Sequence, residues 1–221
     1  MEQTTDAKVL SLKLEANSFV KLGHYAKSEK IIRKALELKP NSISLEHDLA
    51  KIKFNQKKYT KALDILEKLL GKVKNRQILL KDIAMCYYKM NNLDKALEAV
   101  QESISLNPDK ISSIYAEGLI LRELGNYDKS LSSFKKVIKL DSKNRDALYQ
   151  VGKILHQKGK YREALEFFDK VLEFRPRDNE VLKFKGLSHD ELNEYGEASE
   201  ALKRSIDVDD EIIFNDRGVA L

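Results

Sequence analysis

Residues 151–176 read VGKILHQKGKYREALEFFDKVLEFRP. The stretch encodes two amphipathic helices joined by a tight turn. Gly152 is small where the first helix needs a close neighbour. Gly159 ends that helix, because a residue without Cβ enters the left-handed conformation at little cost. Tyr161 opens the second helix, where Ala164, Phe168 and Val171 recur at spacings of three and four, one face of a 3.6-residue period. Pro176 then stops it.

The same unit recurs along the chain. The three prolines, Pro40, Pro108 and Pro176, are 68 residues apart each time, twice 34. A 34-residue period gives six registers, beginning near Val9, Ile43, Gln77, Ile111, Arg145 and Asn179. The small residue of the first helix is then Ala16, Ala50, Ala84, Gly118, Gly152 and Gly186. The turn residue is Gly23, Lys57, Asn91, Gly125, Gly159 and Asn193, so five of six are Gly or Asn, which best tolerate left-handed geometry. Tyr25, Tyr59, Leu93, Tyr127, Tyr161 and Tyr195 open the second helix. Ser28, Ala62, Ala96, Ser130, Ala164 and Ala198 follow three residues later. Ile32, Leu66, Val100, Phe134, Phe168 and Leu202 supply the large apolar residue. Small residues let the helices of a hairpin approach, and the tyrosine and large apolar residue fill the gap to the next hairpin. No hairpin can bury its apolar face alone, so neighbours must do it.

This small–Tyr–Ala–Phe–Pro series resembles the tetratricopeptide (TPR) repeat family over about residues 9–210. The resemblance implies an all-α, right-handed superhelical solenoid of six helix-turn-helix repeats in a single domain, 1–221. The repeats are placed at about 9–42, 43–76, 77–110, 111–144, 145–178 and 179–210, with a terminal helix at 211–221. Helix pairs are expected at about 7–22 and 25–39, 43–56 and 59–74, 77–90 and 93–106, 111–124 and 127–140, 145–158 and 161–174, and 179–192 and 195–208. Residues 1–5 are expected to fray, with Thr5 or Asp6 as a cap. Repeat two departs most from the pattern: Lys53 stands where other registers have Phe19, Tyr87, Leu121 and Leu155, and Lys74 replaces the terminal proline. The closing EIIFNDRGVAL repeats the opening of a hairpin, with Phe214 and Gly218 spaced like Leu148 and Gly152. A capping helix is the expectation. A truncated seventh repeat of a longer protein, or a dimer face built from Ile212, Ile213, Phe214 and Leu221, are the alternatives.

Composition agrees with a helix-rich chain. Of 221 residues, 34% are charged and 42% hydrophobic, and no apolar run approaches the roughly 18 residues of a membrane span. No secretory signal opens the sequence. The single cysteine, Cys86, excludes an internal disulfide, so the cytoplasm is the expected compartment. Charge is uneven. Residues 1–76 hold 17 basic and 9 acidic side chains, residues 77–178 hold 18 and 15, and residues 179–221 hold 5 and 11. An acidic partner would favour the N-terminal half.

Catalytic and metal motifs are missing. His24, His47, His156 and His189 lie in different repeats without convergent ligands. No GxSxG or GxxxxGK[ST] stretch occurs, and Cys86, between Met85 and Tyr87, reads as a small core hydrophobe. No enzyme and no cofactor are expected. The run KIKFNQKKYTK from Lys51 to Lys61 interleaves lysines and aromatics, yet helical geometry sends its lysines to different faces, so nucleic acid is not expected.

The resemblance places function in the concave groove lined by first helices. It implies a partner-binding set of Lys81, Met85, Tyr88, Tyr115, Leu119, Arg122, Tyr149, Lys153 and His156, with Lys13, Asn17, His47, Lys51 and Phe54 at the same positions earlier. Lys81, Tyr88, Tyr115, Leu119, Tyr149 and Lys153 form the expected central patch, tyrosines and leucine for burial and lysines to steer an acidic segment. Tyr115 and Tyr149 packing only against neighbouring first helices is the alternative. Chaperone-docking members hold a C-terminal carboxylate with Lys and Asn on one first helix and further Asn, Lys and Arg on the next two. Lys13 and Asn17 match the first pair, but Asp48, Ile78 and Asp82 occupy the later positions, and two aspartates would repel a carboxylate. The expected role is a scaffold or adaptor for a protein or peptide. A regulatory arm of a larger enzyme is the alternative, and self-association through the C-terminal end is a further expectation.

Overall fold

The computed structural model describes residues 2–218, with side chains described for residues 5–207. Among the described residues there are twelve helices and no strand. They are α1 (Glu2–Lys21), α2 (Tyr25–Leu38), α3 (Ile43–Asn55), α4 (Tyr59–Leu70), α5 (Gln77–Lys89), α6 (Leu93–Leu106), α7 (Ile111–Glu123), α8 (Tyr127–Leu140), α9 (Arg145–Gln157), α10 (Tyr161–Phe174), α11 (Asn179–Glu191) and α12 (Tyr195–Gly218). Every second helix opens on the residue the period names. The chain divides into two units, Met1–Ile120 and Leu121–Leu221. Within each, consecutive helices pack as antiparallel hairpins, and each hairpin stacks on the next, so the fold is an all-α array of helical repeats.

The hairpin turns explain this regularity. All six predicted turn residues have positive φ, 73–75° at Gly23, Gly125 and Gly159 and 59–61° at Lys57, Asn91 and Asn193. The backbone N–H five residues past the last core position of each first helix then returns to that position's carbonyl. His24 reaches Phe19 at 2.8 Å, and Lys58, Asn92, Asn126, Lys160 and Glu194 reach Lys53, Tyr87, Leu121, Leu155 and His189 at 2.9 Å. This bond satisfies a carbonyl the helix end would leave open. Three first helices start on side-chain caps not foreseen from sequence: Ser42, Asn144 and Asp178 accept from the N–H groups of Leu45, Ala147 and Val181, whereas Arg76 before α5 gives no such bond.

The core sits inside each hairpin. A Cβ added to Gly152 would lie 2.4 Å from the Phe168 ring, and one added to Gly186 would lie 2.6 Å from Leu202. Phe168 is fully buried, worth about 2–3 kcal/mol in apolar surface removed from water. The large apolar residue thus fills its own hairpin as well as the gap to the next, where Phe168 also meets Phe184 at 6.2 Å between centroids. The tyrosines bridge repeats less uniformly than expected. Tyr161 donates its hydroxyl to Glu191 at 3.1 Å, whereas Tyr195 is 63% exposed and donates to Asn193 of its own turn at 2.7 Å.

Three boundaries differ from expectation. Helix α4 ends at Leu70 rather than 74, with Gly71, a poor helix former, as its C-cap. Helix α1 begins at Glu2, so Thr5 and Asp6 lie within it, and Asp6 pairs with Lys39 at 3.0 Å. Helix α12 continues to Gly218, so the terminal helical stretch extends the last hairpin without a break near 208–211. Nothing between Ile206 and Phe214 is Gly or Pro, and nothing there stops a helix. The expected apolar face of Ile212, Ile213, Phe214 and Leu221 lies outside the residues whose side chains are described.

Lys53, the misfit of repeat two, is buried beside Ile52. Its ammonium lies 2.6 Å from Glu29 Oε1 on α2, and Gln56 Nε2 donates to Glu29 Oε2 at 2.9 Å. Burial opposes the charge on Glu29, but Lys53, Gln56 and Arg33 outweigh it and hold the carboxyl at about 2, against an ordinary 4.5.

Candidate functional site

In the first unit, Lys81 and Met85 of α5 face a cleft of about 370 Å³ between α3 and α5. Phe54 and Met85 form its apolar walls and Leu66 of α4 lies beneath. Ala50, Cys86 and the largely buried Asp82 also line it, with Lys51 and Asn55 on its exposed side. Cys86 is a buried core residue, as expected, and burial pushes its thiol up to about 12. Lys51 is exposed and has no carboxylate partner among the described residues, whereas Lys81 pairs with Asp82. Burial of Asp82 raises its pKa, but the hydrogen bond from His47 and the charge of Lys81 hold it below the usual carboxylate range.

The second unit brings together four of the predicted residues. Tyr149 is only 6% exposed, so packing, the alternative weighed for it, is what the structure has. Its ring meets Phe184 of α11 edge-on at 5.7 Å and is covered by Arg145 at 4.8 Å. Lys153 Nζ lies 5.2 Å from the Tyr149 centroid and 4.9 Å from that of Phe184. Burial, with Arg122 nearby, lowers the pKa of that ammonium. Arg122 donates to Gln150 and, at 2.7 Å, to Glu123. His156 Nδ1 is 2.9 Å from Ser188 Oγ, whose own proton goes to the Phe184 carbonyl, so the imidazole nitrogen is the donor. Tyr88, Tyr115 and Leu119 are half-buried on α5 and α7, and Lys89 lies 5.3 Å over the Tyr88 ring.

A pattern missed from sequence links these positions. Lys13, His47 and Tyr149 are equivalent, and each meets a residue 35 further on. Lys13 is 2.9 Å from Asp48, His47 Nε2 is 2.6 Å from Asp82, and Tyr149 meets Phe184. Side chains assigned to a partner are thus occupied in joining consecutive first helices. The signal was available: Asp48 and Asp82 sit one residue past the basic or titratable position of their own repeats, and a 35-residue offset pairs them with the repeat before. Near the start of α9, Arg145 forks onto Asp178 through two bonds of 2.7 Å and reaches Glu180 at 2.7 Å, tying one repeat to the cap of the next.

Among the described residues, no three His, Cys, Asp or Glu come together as metal ligands, and no helix is long and apolar enough to cross a membrane.

Residues 115–179 match the family model described as tetratricopeptide repeat, and residues 3–119 match the model described as intraflagellar transport protein 56. None of the curated proteins matches the chain. Among solved structures, PilF of Pseudomonas aeruginosa is 16% identical with a TM-score of 0.74, covering 90% of each chain. A MamA crystal structure is 17% identical with a TM-score of 0.67, covering 75% of this chain and 96% of MamA. A tetratricopeptide repeat protein from Parabacteroides merdae is 21% identical with a TM-score of 0.66, covering 90% and 77%. These likenesses are of fold.

Proposed function

Since the chain belongs to the tetratricopeptide repeat family, whose fold is an interaction scaffold, we propose that it is a non-catalytic adaptor that binds an acidic, apolar segment of a protein partner. The contact surface is the first-helix face of residues 1–120. The observation that carries this reading is the cleft between α3 and α5, where Phe54, Leu66 and Met85 offer burial and Lys51 offers an uncompensated positive charge, Lys81 being paired with Asp82. An apolar anchor with a charged border is the arrangement that concentrates binding energy in few contacts. Lys81 and Met85 are the central contacts, with Tyr88, Tyr115 and Leu119 flanking them. In residues 121–221, Lys153 offers an ammonium held over two aromatic rings to a partner carboxylate. The proposed compartment is the cytoplasm, suited to a single buried thiol. The partner is a foreign protein or a second copy engaged through its C-terminal end.

Selection of displayed random peptides on the immobilised chain tests the reading. Recovered peptides should place Asp or Glu beside aliphatic or aromatic residues, and Lys51→Glu should weaken them about tenfold, the scale of one lost charge contact. Peptides that bind the wild type and Lys51→Glu equally would put the contact surface elsewhere.

A further inference from the structure

The hairpin turns of residues 1–120 carry cations without carboxylates. Three stretches that each span a turn, 16–28 (ANSFVKLGHYAKS), 49–63 (LAKIKFNQKKYTKAL) and 83–93 (IAMCYYKMNNL), contain no Asp or Glu. Within the second, two lysines are used elsewhere, Lys51 at the α3–α5 cleft and Lys53 on Glu29, which leaves Lys57, Lys58 and Lys61 exposed at the turn. Lys21 and Lys27 are exposed at the first turn and Lys89 at the third. Among the described residues none of these six forms an ion pair, and Lys27 and Lys89 lie instead over the rings of Phe19 and Tyr88. Hairpins stacked in one register put their turns along one edge, and the first two meet there. Gln56 Nε2 reaches the Tyr25 carbonyl at 3.4 Å, and His24, Lys27, Gln56 and Lys58 line a common depression. At the opposite end of the same hairpins Lys39, Lys72 and Arg76 pair with Asp6, Glu46 and Glu102. The turns of residues 121–221 pair their cations too, Lys158 with Asp128 and Lys160 with Glu163.

The edge also carries an apolar tip. Leu22, between Lys21 and Gly23, is 67% exposed. All six cations are lysine, a hydrated point charge, and none is arginine, whose planar fork grips a nucleic-acid phosphate or a carboxylate in two bonds. Tyr59 packs edge-on against Phe54, and Phe19 lies under Lys27, so these rings are engaged in the fold rather than offered to stack a base. An apolar tip set among lysines suits a surface that is anionic outside and apolar beneath. We infer that this edge rests on the anionic face of a phospholipid bilayer, its lysines at the headgroup phosphates and Leu22 entering the interface. The contact goes beyond the adaptor reading, since it uses the turns and leaves the first-helix face open to a protein partner.

Co-sedimentation of the full chain with vesicles of equal parts phosphatidylserine and phosphatidylcholine provides the test, with phosphatidylcholine vesicles as the reference. The chain should bind the anionic vesicles and not the reference, and salt should weaken binding. Lys58→Glu with Lys61→Glu should weaken it about thirtyfold or more, at about fivefold per lysine lost. Both acids fall at the start of α4, where the helix dipole favours them, so folding is not at risk. Leu22→Ser should weaken binding several-fold at every salt concentration. Lys34→Glu with Lys68→Glu, the same charge change on α2 and α4 away from the turns, should alter it less than about twofold. Absence of binding to the anionic vesicles at low salt overturns the inference, as does an equal loss in the two charge variants, which would reduce the contact to net charge. A labelled single-stranded oligonucleotide that binds through Lys58 and Lys61 more tightly than the vesicles do, and ignores Leu22→Ser, would give the edge to nucleic acid and overturn it as well.

Discussion

Glu29 and Lys53 show how one hydrophobic contact becomes an ionic one. The registers equivalent to Glu29 hold Leu63, Leu97, Leu131 and Leu165, and those equivalent to Lys53 hold Phe19, Tyr87, Leu121 and Leu155. Both partners change together, and the pair forms at 2.6 Å between α2 and α3. A buried pair of this kind gains little over apolar packing, while half of it is costly. Lys53→Met alone should therefore destabilise the chain by about 3 kcal/mol, and Glu29→Leu with Lys53→Met should come within about 1 kcal/mol of wild type, read from urea unfolding midpoints. The pair also sets an acid limit. The folded carboxyl of Glu29 lies at about 2, below its ordinary 4.5, so its contribution is complete above pH 4.5 and is lost as pH falls toward 2. The melting temperature should drop through that window, and the double variant should drop less. Lys53 was conspicuous in the sequence. Glu29 was not read as its partner, because a period aligns equivalent positions, and facing positions are offset by the packing.

A hairpin is held by complementary volumes. Ala16, Ala50 and Ala84 accompany Ile32, Leu66 and Val100, whereas Gly118 and Gly152 accompany phenylalanine. In the hairpin of α9 and α10 the space is taken completely, since a Cβ at residue 152 would be 2.4 Å from the Phe168 ring. Gly152→Ala gains about 1 kcal/mol of helix propensity and meets an overpacking penalty of about 1–3 kcal/mol, so the net change should be destabilising. Adding Phe168→Leu should relieve it, which thermal unfolding of the single and double variants will show. The starts of α2 to α12, the turns and this small-to-large pairing were legible, because the repeat samples each position six times. The start of α1 at Glu2 and the extension of α12 to Gly218 were not, since they lie before the first full period and past the last. Tyr149 was left open in the sequence between partner contact and packing, because the period does not say what its register position faces; the structure has it against the neighbouring first helix, where Phe184 takes up its ring.

Over the whole chain, the same period that reveals the architecture hides the partner. Structural positions recur, while contact positions vary from one repeat to the next. Where the structure bears on a contact, it gives geometry: Lys13 is neutralised by Asp48 at 2.9 Å, and Asp82 sits between His47 and Lys81. A peptide ending in free-acid EEVD should therefore bind no more tightly than about 1 mM by isothermal titration, and amidating its terminus should change nothing. The turn bonds described above have a consequence of another kind. Each joins atoms of one hairpin, from Phe19 to His24 or from Leu155 to Lys160, and the Gly152–Phe168 contact also begins and ends within one hairpin. A gene segment of 34 codons cut at the linkers between hairpins would carry its own turn and its own lock intact, so chains of this type can lengthen or shorten by whole cassettes and need repair only at the two new seams.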